Sequence, residues 1–100
     1  MTGASSTDSA RSVLVRIEGN VQGVGFRNWT QRMARQLRLT GWVRNRRDGS
    51  VEAVFSGSSA AVGDALVRCK MGPRSAKVTS VTAAEIAPPE HSGFEILPGV

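Results

Sequence analysis

Residues 19–27, GNVQGVGFR, have the composition of an anion cradle. Three glycines, Gly19, Gly23 and Gly25, let a backbone curl tightly and aim successive N–H groups inward. A helix beginning just after Gly25 would add its own unpaired amides and the positive end of its dipole. Arg27, in that first turn, offers a planar guanidinium whose donors match phosphate oxygens. Together these groups suit a tetrahedral oxyanion. Two other phosphate loops do not fit. A Walker A loop places lysine after its last glycine, whereas Phe26 follows Gly25. A dinucleotide fingerprint would put Gly or Ala where Asn28 stands, and its acidic ribose residue would fall at Asn45.

The cradle needs a strand before it and a helix after it, and the pattern supplies both. Residues 11–18 alternate, with Val13, Val15 and Ile17 on one face and Ser12, Arg16 and Glu18 on the other, which predicts a half-buried strand. Residues 19–25 read as a loop. Residues 26–38 read as a helix with an apolar stripe of Phe26, Trp29/Thr30, Met33 and Leu37, ended with the help of Gly41. Strands over 42–45 and 51–55 flank Asp48-Gly49, a strong hairpin signal, and put Val51, Ala53 and Phe55 on one face. A second helix, capped by Ser58 or Ser59, runs to about Lys70 along Val62, Ala65, Leu66 and Cys69, and Gly72-Pro73 stops it. Residues 77–86 are strand material in which the odd spacing of Val78 and Val81 points to a bulge or a change of face. Residues 94–97 offer a short last strand. The order β-α-β-β-α-β predicts an α+β fold, a ferredoxin-like two-layer sandwich with two helices on one face of an antiparallel sheet of four or five strands. Fold alone fixes no activity.

With 100 residues, one domain is expected over 11–97, preceded by a flexible, Ser/Thr/Gly/Ala-rich tail over 1–10. Thirteen Lys and Arg against eight Asp and Glu leave a formal charge of +5, which favours an anionic partner without choosing one. The single cysteine, Cys69, excludes an internal disulfide, and with the single histidine, His91, it cannot close a zinc site. Nothing approaches the roughly 20 apolar residues of a membrane span, and the first ten residues are no secretory leader. A cytoplasmic location is the expectation. Residues 19–47 hold Arg27, Arg32, Arg35, Arg38, Arg44, Arg46 and Arg47 and no carboxylate. Such a field either steers anionic substrates or merely decorates a solvated face.

The stretch GNVQGVGFR resembles the signature of the acylphosphatase family, G-x-V-Q-G-V-x-F-R. The segment GWVRNRRDGSVE, residues 41–52, is similar to that family's second signature, a glycine-aromatic-valine-x-asparagine strand leading to a D-G turn. The likeness covers about residues 11–97, and Gly72-Pro73 and Phe94-Glu95-Ile96 also match the family's pattern. It implies the same sandwich fold and an enzyme that hydrolyses acyl phosphates to carboxylate and inorganic phosphate without metal or cofactor. It also implies the roles. Arg27 would bind the phosphoryl group, Asn45 would position the attacking water, and Val21, Gln22, Gly23, Val24, Gly25 and Phe26 would form the phosphate loop, largely through backbone N–H groups. The implied partners are small-molecule acyl phosphates, with phosphate as product and competitive inhibitor. Nucleic acid and membrane are not expected partners, and a monomer is expected.

Those roles agree with the chemistry of the residues. An acyl phosphate carries a good leaving group, so positioning and charge stabilisation outweigh acid–base help. Asn45 can donate and accept, and so can hold a water, but cannot take its proton. Thr30 is placed either to hydrogen-bond behind the loop or Asn45, or to bond a carbonyl one turn back. Cys69 reads as core filler, Trp29 and Trp42 as packing residues and His91 as a surface residue. The alternative is a non-catalytic anion- or RNA-binding module on the same sheet. RNA readers of this topology stack bases on aromatics of the central strands, and here the only such residue, Phe55, is sent by alternation to the core face.

Overall fold

Alternation decides the sheet, and the sheet decides where the loop begins. The computed structural model describes residues 9–90 and 92–100; residues 1–8 of the expected tail, and His91, lie outside the described residues. Seven elements follow one another: β1 (Ala10–Asn20), α1 (Phe26–Gln36), β2 (Thr40–Asn45), β3 (Val51–Ser58), α2 (Ser59–Met71), β4 (Lys77–Glu85) and β5 (Phe94–Ile96). The strand order is β4-β1-β3-β2-β5. The first four strands form the expected antiparallel arrangement. β5 departs from it by pairing parallel to β2, so the five-stranded sheet is mixed. The α+β sandwich with two helices is as the element order predicts.

One face of the sheet is apolar because every second residue is. Val13, Val15, Ile17, Val43, Val51, Ala53 and Phe55 are all fully buried. Phe26, Met33 and Ala34 of α1 and Val62, Ala65 and Cys69 of α2 join them in one core. Burying such side chains contributes on the order of 25 cal/mol per Å² of apolar area. Phe55 stacks on Phe94 at 5.7 Å, so the central-strand aromatic is sealed in the core, as alternation predicts. Burial pushes the Cys69 thiol up to about 12, so it stays protonated as a small core residue. Ser12, assigned to the wet face, is instead buried, because its hydroxyl bonds that of Ser56 at 2.7 Å.

Several boundaries differ from the sequence pattern, and those around the loop and β2 have local reasons. β1 runs on to Asn20 through Gly19, which sits at φ 129 where the pairing with β4 slips. Glu18 faces Ser80 while Gly19 faces Val78, so Thr79 is the extra residue of the bulge. α1 ends at Gln36 rather than at 38. The Arg38 amide bonds the Arg35 carbonyl, the Leu39 amide bonds the Ala34 carbonyl, and Arg38 takes φ 60, a left-handed Schellman ending usually given to glycine. Gly41 therefore terminates nothing. It lies inside β2 at φ 136, where a Cβ would overlap the Val54 carbonyl oxygen of the neighbouring strand. At the start of α2 the Ser58 hydroxyl accepts from the Ala61 amide, which settles the cap between the two expected serines.

Two glycines of opposite meaning test this account. Gly41→Ala is expected to destabilise by at least about 2 kcal/mol, from backbone strain plus steric overlap. Gly63→Ala, in α2 with open space around it, is expected to stabilise by about 0.5–1 kcal/mol. Urea unfolding midpoints of the two variants check both signs.

Candidate active site

Val21 and Phe26, each only 1% exposed, anchor the two ends of the β1–α1 loop in the core. Between them Gly23 at φ 74 and Gly25 at φ 80 turn the backbone left-handed. Neither glycine would clash if it carried a Cβ, so it is conformation, not space, that requires them. Gly25 is also the N-cap of α1, and no side chain caps the helix there. The first helical bond runs from the Trp29 amide to the Gly25 carbonyl at 3.0 Å. The amides of Phe26, Arg27 and Asn28 thus have no helical partner. Those of residues 22–25 take no backbone partner among the described residues either.

The second half of the site comes from the hairpin. Asn45 is the last residue of β2 and pairs with Val51. The turn after it is closed by the Arg46 amide to the Ser50 carbonyl at 2.8 Å. Asp48 accepts from the Ser50 hydroxyl at 2.6 Å and from its amide at 3.0 Å, and it pairs with Arg16. The Ser50 hydroxyl and amide, with Arg16 behind them, lower the Asp48 carboxyl to about 2. Its contribution to the turn is therefore present above the ordinary value near 3.8 and lost as pH falls through about 2.

Gln22 joins the halves. Its side-chain nitrogen donates to the Arg46 carbonyl at 2.7 Å and to the Ser50 carbonyl at 2.8 Å. A cleft of about 150 Å³ opens between loop and hairpin, lined by Val21, Gly23, Gly25, Phe26, Arg27, Asn28, Asn45 and Ile96. It is smaller than the ~300 Å³ at which drug-sized pockets begin, and fits a phosphate-sized group. The expected residues Arg27, Asn45, Val21, Gly23, Gly25 and Phe26 meet there. Gln22 and Val24 do not reach its wall: Gln22 is committed to the hairpin and Val24 packs partly buried against the core. Thr30 is fully buried and donates to the Phe26 carbonyl at 2.8 Å, one turn back, and not to Asn45. Two lining residues escaped the sequence reading. Asn28 follows Arg27 in the uncapped first turn, a position that could have drawn notice, whereas Ile96 arrives only through the pairing of β5 with β2.

Charge is divided unevenly around this cleft. Arg44 and Arg46 share Glu52, Arg16 holds Glu18 and Asp48, Arg11 meets Glu85, and Arg68 meets Asp64. Arg27, Arg32, Arg35, Arg38 and Arg47 meet no carboxylate among the described residues. α1 itself carries no acidic side chain. Among the described residues no carboxylate or cysteine lines the cleft. The side-chain oxygen of Asn45 is buried without a hydrogen-bond partner. The two tryptophans are occupied elsewhere: Trp29 packs edge-on against Phe26, and Arg44 lies 4.9 Å over Trp42.

The family model described as Acylphosphatase matches residues 13–96. An acylphosphatase of Rhodospirillum rubrum is 48% identical over 90 residues, covering 90% of this chain and 99% of that protein. The solved acylphosphatase of Coxiella burnetii superposes with a TM-score of 0.86 at 33% identity, covering 97% of this chain and all of the other. That of Bacillus subtilis gives 0.83 at 36% identity, covering 89% and 99%.

The buckle between loop and hairpin generates its own expectation. Gln22→Met removes both hydrogen bonds, each worth about 0.5–1.5 kcal/mol, while each carbonyl keeps its backbone donor, so stability should fall by about 1–3 kcal/mol. Phosphate affinity should fall with it although Arg27 is untouched. Urea unfolding and calorimetric titration with phosphate measure the two effects.

Proposed function

The chain belongs to the acylphosphatase family, whose members split a carboxyl–phosphate anhydride into a carboxylate and inorganic phosphate, and from that premise we propose how this cleft performs the reaction. Arg27 and the free amides of the β1–α1 loop and of the first turn of α1 hold the non-bridging phosphoryl oxygens. The positive end of α1 adds to that hold. The carboxamide of Asn45, on the cleft wall, hydrogen-bonds a water and keeps that water in line with the acyl oxygen. A bond forms from the water oxygen to phosphorus, and the bond from phosphorus to the acyl oxygen breaks. The carboxylate leaves with the electron pair. The water's proton passes to a phosphoryl oxygen of the substrate, since no lining side chain is a base.

The convergence of Arg27, the loop residues and Asn45 on one small cleft carries this reading. It needs no metal: the charge developing on the phosphoryl oxygens faces a guanidinium and a set of amides. Thr30 bonds the Phe26 carbonyl within α1 and takes no part in the site, and Gln22 and Val24 contribute backbone and anchorage rather than side-chain contacts to the phosphoryl group. The enzyme acts on small acyl phosphates as a cytoplasmic monomer, with phosphate as product and competitive inhibitor. Nucleic acid and membranes are not partners. The carboxylate-free arginines on and after α1 form a field that draws dianions toward the loop. The RNA-binding alternative loses its central-strand platform, because Phe55 is fully buried.

Hydrolysis of benzoyl phosphate in the presence of EDTA is the direct test, and pure folded protein that gives no turnover overturns the reading. Arg27→Ala should lose about 10²–10³-fold in kcat along with phosphate inhibition, and Arg27→Lys should recover little. Asn45→Ala should keep phosphate binding and lose about 10²-fold in kcat.

Steering has a separate signature. Raising ionic strength from about 0.01 M to about 0.15 M shortens the screening length from ~30 Å to ~8 Å, so kcat/KM should fall. The slope should flatten when Arg32, Arg35 and Arg38 are replaced by glutamine, with kcat unchanged. A slope identical to that of the wild type defeats steering.

A further inference from the structure

Asn45 receives an unusual amount of attention from a segment far away in sequence. β5 pairs parallel to β2 as far as Val43 opposite Ile96, and the chain then keeps following β2. The Leu97 amide donates to the Val43 carbonyl at 2.9 Å, and the Val100 amide donates to the Asn45 carbonyl at 3.0 Å. Pro98, which has no N–H to offer, falls between the two donors and fixes the path of the backbone. Gly99 lies against Asn45 itself: a Cβ there would stand 3.3 Å from the Asn45 carbonyl oxygen and 3.7 Å from the Asn45 Cβ. Ile96, at the start of this run, lines the cleft.

The side chain of Asn45 has no comparable support. Its oxygen bonds no group among the described residues. Its direction therefore depends on how its backbone is held, by the pairing with β3 on one side and by Val100 on the other. The geometry points to the backbone of Gly99 and Val100 as a positioning element for Asn45, one that clamps the end of β2 so that the Asn45 carboxamide addresses the in-line water. The inference rests on the water-holding role of Asn45 given above. Neither residue touches substrate. The phosphate loop is fastened independently, through Gln22, so the clamp should govern turnover and leave phosphate affinity alone.

Proline and alanine at position 100 separate the clamp from simple packing. Val100→Pro deletes the amide donor, whereas Val100→Ala keeps it and trims a side chain that is already 47% exposed. Val100→Pro should lower kcat about tenfold, a fraction of the ~10²-fold that a 1 Å misplacement can cost. The inhibition constant of phosphate should stay within about twofold, and Val100→Ala should match the wild type. Placed on Asn45→Ala, Val100→Pro should have no further effect, because the residue it positions is gone. A Val100→Pro enzyme as fast as wild type overturns the inference. So does one that loses phosphate binding in parallel with kcat, or one whose effect persists in full on the Asn45→Ala background. If wild-type protein shows no turnover at all, the activity reading fails instead. The clamp is then judged by NMR: Val100→Pro, and not Val100→Ala, should shift the Asn45 carboxamide signals, and unshifted signals reject it.

Discussion

A single carboxamide nitrogen, that of Gln22, donates to the Arg46 and Ser50 carbonyls and so fastens the β1–α1 loop to the β2–β3 hairpin. Neither partner is chemically competent alone. The loop brings Arg27 and a run of unengaged amides; the hairpin brings Asn45. A mixed αβ sheet can place two strand ends at the same edge, but strand pairing fixes them only through intervening β3. The direct tie shortens that path to two hydrogen bonds. Their acceptors already take backbone amides of the turn, from Gly49 and Arg46, so Gln22 grips a turn that is closed without it.

The surrounding electrostatics follow from what the cleft must not contain. A carboxylate near Arg27 would compete with a phosphoryl group for the same guanidinium. The acidic side chains of the sheet are instead held by arginines away from the cleft: Glu52 by Arg44 and Arg46, Glu18 and Asp48 by Arg16. Asp48, only three residues beyond Asn45, is drawn into its own turn by Ser50. Exposed pairs of this kind add little stability. Their effect here is spatial, since they keep negative charge occupied away from the cleft while Arg27 remains available.

The parts of the molecule that local chemistry governs were legible in the sequence. Period-two alternation marked the buried faces of β1 and β3, the Asp48-Gly49 turn marked the hairpin, and the glycine-rich loop marked where an anion would sit. What escaped was decided by long-range geometry. The left-handed Arg38 ends α1 early because two carbonyls at the helix end find partners that way, and nothing in a run of arginine and leucine announces it. Gly41 resembles a helix stop by its position, yet it answers to the approach of the Val54 carbonyl from another strand. The parallel pairing of β5, and with it the presence of Ile96 at the cleft, depends on where a loop of irregular residues returns the chain. Thr30 could have reached behind the loop or to Asn45, or back one turn, and the fold settles it on the Phe26 carbonyl.

The bare start of α1 has a thermodynamic side. Gly25 leaves the first-turn amides without the side-chain acceptor that most helices receive from Ser, Thr, Asp or Asn. A bound oxyanion would complete what the sequence leaves unfinished, so ligation and folding are linked functions of one free-energy surface. The same bareness sets a limit on adaptation. A mutation that lent the helix an internal acceptor would raise the melting point of the empty protein while placing a competitor where the phosphoryl oxygens belong. Robustness and turnover therefore pull the start of α1 in opposite directions, and the left-handed backbone at position 25, open to glycine at no cost, holds it on the side of turnover.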